Sequence, residues 1–138
     1  MKLLVLLVCL VGLVPVDVDG SAFQFGAMIK LKTGKNPLAY NGYGCYCGLG
    51  GGKQPLDATD WHCRSHRSSS RGCNPVVVPY KYSIQGSQIV CGGGSTCQTT
   101  ACECDKAAAE CFKRTLGTYN KSYKNYLNLR CRGSRPSC

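Results

Sequence analysis

Tyr43-Gly-Cys-Tyr-Cys-Gly-Leu-Gly-Gly-Gly52, followed closely by Asp57-Ala-Thr-Asp60-Trp-His-Cys63-Arg-Ser-His66-Arg67, decides how this chain is read. A loop this rich in glycine bends freely, and its cysteines pin the curve. Backbone carbonyls then converge, an arrangement that suits a hard cation such as calcium. Asp57 to Asp60 reads as the start of a helix, with carboxylates at its positive end. Trp61, Cys63 and His66 follow within that helix. It is expected to fray into Ser68-Ser69-Ser70-Arg71-Gly72.

Downstream, Tyr80 to Val90 alternates with period two on either side of Gln85-Gly86-Ser87, the pattern of a β-hairpin. Thr99 to Leu116 is the longest helix candidate. It carries Asp105, Ala108 and Phe112 on one face, so Asp105 lies along an apolar stripe. A carboxylate there is either paired or costly. The tail from Asn120 to Arg135 is basic, with tyrosines interleaved, and the chain ends at Cys138. Asn120-Lys121-Ser122 matches a glycosylation sequon, with a bare solvated residue as the alternative. Upstream, Ala22 to Thr33 places Phe25, Met28 and Ile29 at helical spacing, with Lys30 and Lys32 off that face. A helix is expected there, stopped near Gly34 and Pro37, its apolar face serving either core packing or membrane contact.

At the N-terminus, Lys2 precedes the apolar run Leu3 to Val14, which is too short to span a bilayer and right for a signal peptide. Residues 1–20 are read as that signal, cleaved after Gly20, and residues 21–138 as one secreted domain. A buried N-terminal helix is the competing reading. The chain of 138 residues has 12 cysteines and a net charge of +10. This composition excludes a collagen, a long coiled coil and a charge-driven disordered chain, and argues against an ordinary cytosolic enzyme. Loss of Lys2, Asp17 and Asp19 with the signal raises the charge from +10 to +11, and loss of Cys9 leaves 11 cysteines of the 12. An odd number cannot pair fully within one chain.

Taken together, the glycine–cysteine loop, Asp57-Ala-Thr-Asp60, Cys63-x-x-His66 and Cys102-Glu-Cys-Asp105-Lys-Ala-Ala-Ala resemble the group II secretory phospholipases A2 over essentially the whole mature chain. The resemblance implies a mainly α, disulfide-rich fold. Its parts would be an N-terminal helix, a glycine-rich calcium loop, two antiparallel helices and a β-hairpin wing. It also implies chemistry. His66 would be the general base that directs water at the sn-2 ester of a glycerophospholipid, and Asp105 would orient its imidazole, with support from Tyr80. The carbonyls of Tyr46, Gly48 and Gly50 would hold a calcium ion that polarises the ester. Disulfides would join Cys45 to Cys131, Cys47 to Cys63, Cys73 to Cys97 and Cys91 to Cys102. Cys104, Cys111 and Cys138 would be left over, their family partners falling in the altered segment from His62 to Ser70.

The sequence departs from that family immediately after His66. Arg67 stands where the family has the aspartate that binds calcium, so a negative ligand gives way to a positive charge. At an effective dielectric of ~20, unit charges about 4 Å apart interact by about 4 kcal/mol, and a dication doubles this. Neutral carbonyls alone match a hydrated dication poorly. Only Arg67-Ser-Ser-Ser-Arg71 separates His66 from Gly72, which reads as a short deletion. His62 occupies a cysteine position, and a His62/His66 metal pair is set aside for want of a third ligand. The expectation is a secreted homologue inactive or nearly so in calcium-dependent hydrolysis. The alternatives are a non-enzymatic binder of anionic membranes or polyanions, and a residually active enzyme. No nucleic-acid partner is expected.

Overall fold

The computed structural model describes residues 20–48, 52–69 and 78–133, the side chains of residues 21 and 65–69 excepted. Helix α1 spans Gly20–Thr33, α2 spans Ala58–Ser69 and α3 spans Thr96–Arg114. Strands β1 (Tyr82–Gln85) and β2 (Gln88–Cys91) form an antiparallel hairpin with Gln85 opposite Gln88. Four short 3-10 turns, at Pro37–Ala39, Leu116–Thr118, Lys121–Tyr123 and Asn128–Arg130, lie among the other described residues. The signal-peptide reading, Cys73 and Cys138 lie outside the described residues. Among those described, no helix is long and apolar enough to cross a membrane.

Each element forms for local reasons. Gly34 ends α1 at φ +74°, donating its N–H to the Lys30 carbonyl at 3.0 Å. On α1 the face expected to be buried is buried: Met28 and Ile29 enter the core and Phe25 packs beside them. The opposite side is less polar than the expected pattern, because Phe23 and Leu31 are exposed there. Asp57 opens α2, its Oδ1 accepting from the Asp60 N–H at 3.0 Å. Helix α3 begins three residues earlier than the apolar periodicity indicates. A reciprocal cap between Ser95 and Gln98 explains the difference, each side chain bonding the other's backbone N–H. The hairpin turns on Gly86 at φ +69°. It starts at Tyr82 rather than Tyr80, because Tyr80 is drawn under α1 and α3 instead.

The core lies between α1 and α3. Ala101 and Ala109 let the helices approach closely, and Met28, Ile29, Tyr40, Ile89 and Phe112 fill the space around them. Tyr40 stacks on Phe112 with ring centroids 4.2 Å apart and planes at 4°. Burial, helped by neighbouring Tyr119, pushes the Tyr40 phenol up to about 12. Tyr119 extends the aromatic cluster, donates its hydroxyl to the Ala39 carbonyl at 2.6 Å, and carries the Lys35 ammonium 4.1 Å above its ring.

Disulfides join the parts the small core leaves loose. Cys91–Cys102 clamps the hairpin to α3, Cys47–Cys63 holds the glycine-rich loop to α2, and Cys45–Cys131 brings the basic tail back to the loop across 86 residues. Each such link stabilises a domain of this size by roughly 2–4 kcal/mol. Main-chain bonds reinforce the last of them: Gly44 N–H donates to the Tyr123 carbonyl at 2.8 Å, and Tyr126 N–H to the Gly42 carbonyl at 2.9 Å.

Phe112 is the side chain on which α1, α3 and the aromatic cluster meet. Phe112→Ala should destabilise the fold by about 3–5 kcal/mol, read as a lowered urea midpoint without loss of the disulfides.

Candidate active site

Asp60 is fully buried in the first turn of α2. Its Oδ2 accepts the backbone N–H groups of Cys45 and Leu56, both at 2.8 Å, and its Oδ1 accepts that of Tyr46 at 2.7 Å. One carboxylate thus holds the glycine-rich loop from both of its ends. Burial pushes the Asp60 carboxyl above its ordinary range, while the three N–H donors pull it back. Gly44 makes the approach possible. Its φ is +64°, and a Cβ there would run into the Asp60 carboxylate. Beside it, Asp57 Oδ2 accepts the Tyr43 hydroxyl at 2.6 Å, and the same oxygen of Tyr43 receives the Asn120 N–H at 2.9 Å. Burial first, and then the Asp57 contact, raise the Tyr43 phenol well above the usual range.

Asp105 is the other buried carboxylate, on the core face of α3. The Tyr80 hydroxyl donates to its Oδ2 at 2.7 Å. Burial and then the Asp105 charge push the Tyr80 phenol far above the usual range, so it stays a donor at any physiological pH. Tyr80 is itself held by Gln24 of α1. The Gln24 amide donates to the Tyr80 carbonyl at 2.6 Å and accepts the Tyr80 N–H at 3.2 Å. Sequence reasoning missed Gln24. A polar residue beside an apolar helical stripe carries no signal of its own, and its partner lies 56 residues away.

His66 and Arg67 are consecutive residues of α2. Their side chains are outside the described set, so their backbone places them. Helices α2 and α3 pack together, and a 2.7 Å bond between the hydroxyls of Thr59 and Thr115 joins the start of α2 to the end of α3. The pair is therefore antiparallel. Moving back from that bond at 1.5 Å per residue, His66 is about 10 Å along α2 and Asp105 about 15 Å along α3. The two fall within about one helical turn of the same level. Gly50 lies outside the described residues, whereas Tyr46 and Gly48 are in the bend, with Gly48 at φ +102°.

Asp57, Asp60 and Asp105 each receive internal N–H or O–H donors. No group of three or more histidine, cysteine or acidic side chains able to hold a metal occurs among the described residues. The neighbouring position on α2 is filled by Arg67.

Cys104 and Cys111 of α3 are free thiols, whereas Cys97 is in a disulfide whose expected partner, Cys73, is not described. Burial raises both free thiols above their ordinary range. Asp105 and Glu103 add to the effect at Cys104, while Arg114 opposes it at Cys111. Both stay protonated at neutral pH and are weak nucleophiles. His62, half-buried on α2, completes the residues singled out from sequence.

Three helices, a two-stranded wing and a disulfide-pinned loop define a phospholipase A2 fold, and comparison with known proteins agrees. The phospholipase A2 family profile matches residues 22–124. The human group IIE secretory phospholipase A2 is 49% identical, covering 98% of this chain and 96% of that protein. The membrane-associated phospholipase A2 of Bos taurus is 44% identical over the full length of both. The basic phospholipase A2 vurtoxin of Vipera renardi is 47% identical over 95% of this chain and 94% of the toxin. This chain belongs to the phospholipase A2 family, among the group II secretory members.

Asp60→Ala would strand three main-chain donors at about 1–3 kcal/mol each, so a loss of more than about 3 kcal/mol is expected in urea unfolding. Asp60→Asn should recover only part of this, because its amide nitrogen would face a main-chain N–H.

Proposed function

We propose that the chain is a secreted phospholipase A2 homologue of the group IIC type that lacks efficient calcium-dependent hydrolysis of the sn-2 ester. The observation that carries this reading is Arg67, next to His66 on α2, at the point where the family supplies its carboxylate ligand. The donors held by Asp57, Asp60 and Asp105 support it, because each would have to give up a bond that the fold uses in order to replace that ligand. A general base near neutrality needs an acyl carbon already polarised and an oxyanion already stabilised. With no electrophile to do either, His66 and Asp105 would have no reaction to serve. The free thiols add a second handicap. Each bridge the family would build through Cys104 or Cys111 is worth roughly 2–5 kcal/mol, and both would tie α2 to α3.

The purified chain should show no calcium-stimulated release of fatty acid from mixed phospholipid micelles. Appreciable calcium-dependent hydrolysis would establish the residually active alternative. Arg67→Asp separates the two handicaps. Restored calcium dependence would mean that the scaffold is intact and only the ligand was lost; continued silence would place the defect in the missing bridges.

A second reading, a non-enzymatic binder of anionic membranes or polyanions, is favoured by the C-terminal tail. Leu127 is 63% exposed and Leu129 86% exposed, beside Lys124 and Arg130. Apolar side chains flanked by cations suit an anionic lipid surface. Each cation near such a surface contributes about 1 kcal/mol, so neutralising Lys121, Lys124 and Arg130 together should weaken vesicle binding by roughly 100-fold at low salt. Binding that ignores both salt and these substitutions would remove this reading.

A further inference from the structure

The sequon Asn120-Lys121-Ser122 plays no part in the phospholipase site, yet its geometry is defined. Asn120 follows α3 in an extended conformation, with φ −117° and ψ 114°. Its backbone is anchored from below: the N–H donates to the Tyr43 hydroxyl, and the preceding Tyr119 is fixed by its bond to Ala39. Asn120, Lys121 and Ser122 are all exposed. The Asn120 carbonyl oxygen Oδ1 accepts both the Ser122 N–H at 2.9 Å and the Ser122 hydroxyl at 2.7 Å. The amide nitrogen Nδ2 makes no hydrogen bond among the described residues. Substitution at that nitrogen therefore breaks nothing the fold uses, and the exposed knuckle leaves room for a bulky group.

We propose that Asn120 is an N-glycosylation acceptor. The donor class is an oligosaccharide linked through an N-acetylhexosamine to a lipid diphosphate. Nδ2 bonds to the anomeric carbon of that sugar, and the bond from the same carbon to the diphosphate oxygen breaks. The lipid diphosphate leaves with the electron pair, and one Nδ2 proton passes to a base of the transferase. The Ser122 hydroxyl is the recognition element at the second position after the acceptor. The glycan would sit beside Lys121 and Lys124, a neutral hydrated polymer on the basic tail.

This inference rests on the secretory part of the functional reading, because the donor is met only in the secretory pathway. The test is cell-free translation of the full chain with endoplasmic-reticulum microsomes. It is followed by protease protection and by digestion with peptide-N-glycosidase. The chain holds no other Asn-x-Ser/Thr sequence. The expected result is one protected, slower-migrating band that collapses on digestion. It should be lost in Asn120→Gln and in Ser122→Ala and kept in Ser122→Thr. A protected chain that never shifts would overturn the glycosylation while leaving the secretory reading standing. A chain that is not protected would overturn both. A shift that persists in Asn120→Gln would also overturn the assignment.

Discussion

The Asp60 carboxylate under the glycine-rich loop is the constraint on which the rest depends. Residues 43–48 contain two glycines at positive φ and no regular secondary structure, so nothing intrinsic to the loop holds its shape. Asp60 supplies the shape from outside, gathering the N–H groups of Cys45, Tyr46 and Leu56 onto one buried charge. Burying that charge is unfavourable in itself. Three charge-assisted hydrogen bonds and the Cys45 and Cys47 bridges offset the cost. Once the loop is fixed, the tail can dock on it through Gly42 and Gly44, and α2 is set against α3.

That economy of carboxylates also explains why one substitution matters so much. Around the bend and the helix pair, Asp57 caps α2 and holds Tyr43, Asp60 holds the loop, and Asp105 receives Tyr80. All three are occupied in making the fold. Under the proposed function a calcium ligand would be additional to them, at the position that carries Arg67. In the proposed reading the loss falls on a cation ligand and on the bridges of Cys104 and Cys111, while the Asp60-held loop stays built.

Much of this was legible in the sequence, for identifiable reasons. The core face of α3 was readable because Asp105, Ala108 and Phe112 recur at helical spacing, and all three are buried. The hairpin was readable from alternation around Gly86, and the opening of α2 from Asp57. The start of α3 was misplaced because periodicity does not see caps, although the Ser95-x-x-Gln98 signature was there to be used. Contacts between residues far apart in sequence left no trace. Gln24 clasping Tyr80, and Tyr43 joining Asp57 to Asn120, connect positions 56 and 77 residues apart. Tertiary proximity decided them, and no local pattern encodes it.

The proposed inactivity depends on a lack of calcium affinity in a chain that carries Arg67. Calorimetric titration of the purified mature chain with calcium tests it most directly. The account predicts no saturable heat up to the roughly millimolar range used by extracellular calcium modules. Saturable one-to-one binding in that range by the chain carrying Arg67 would contradict it.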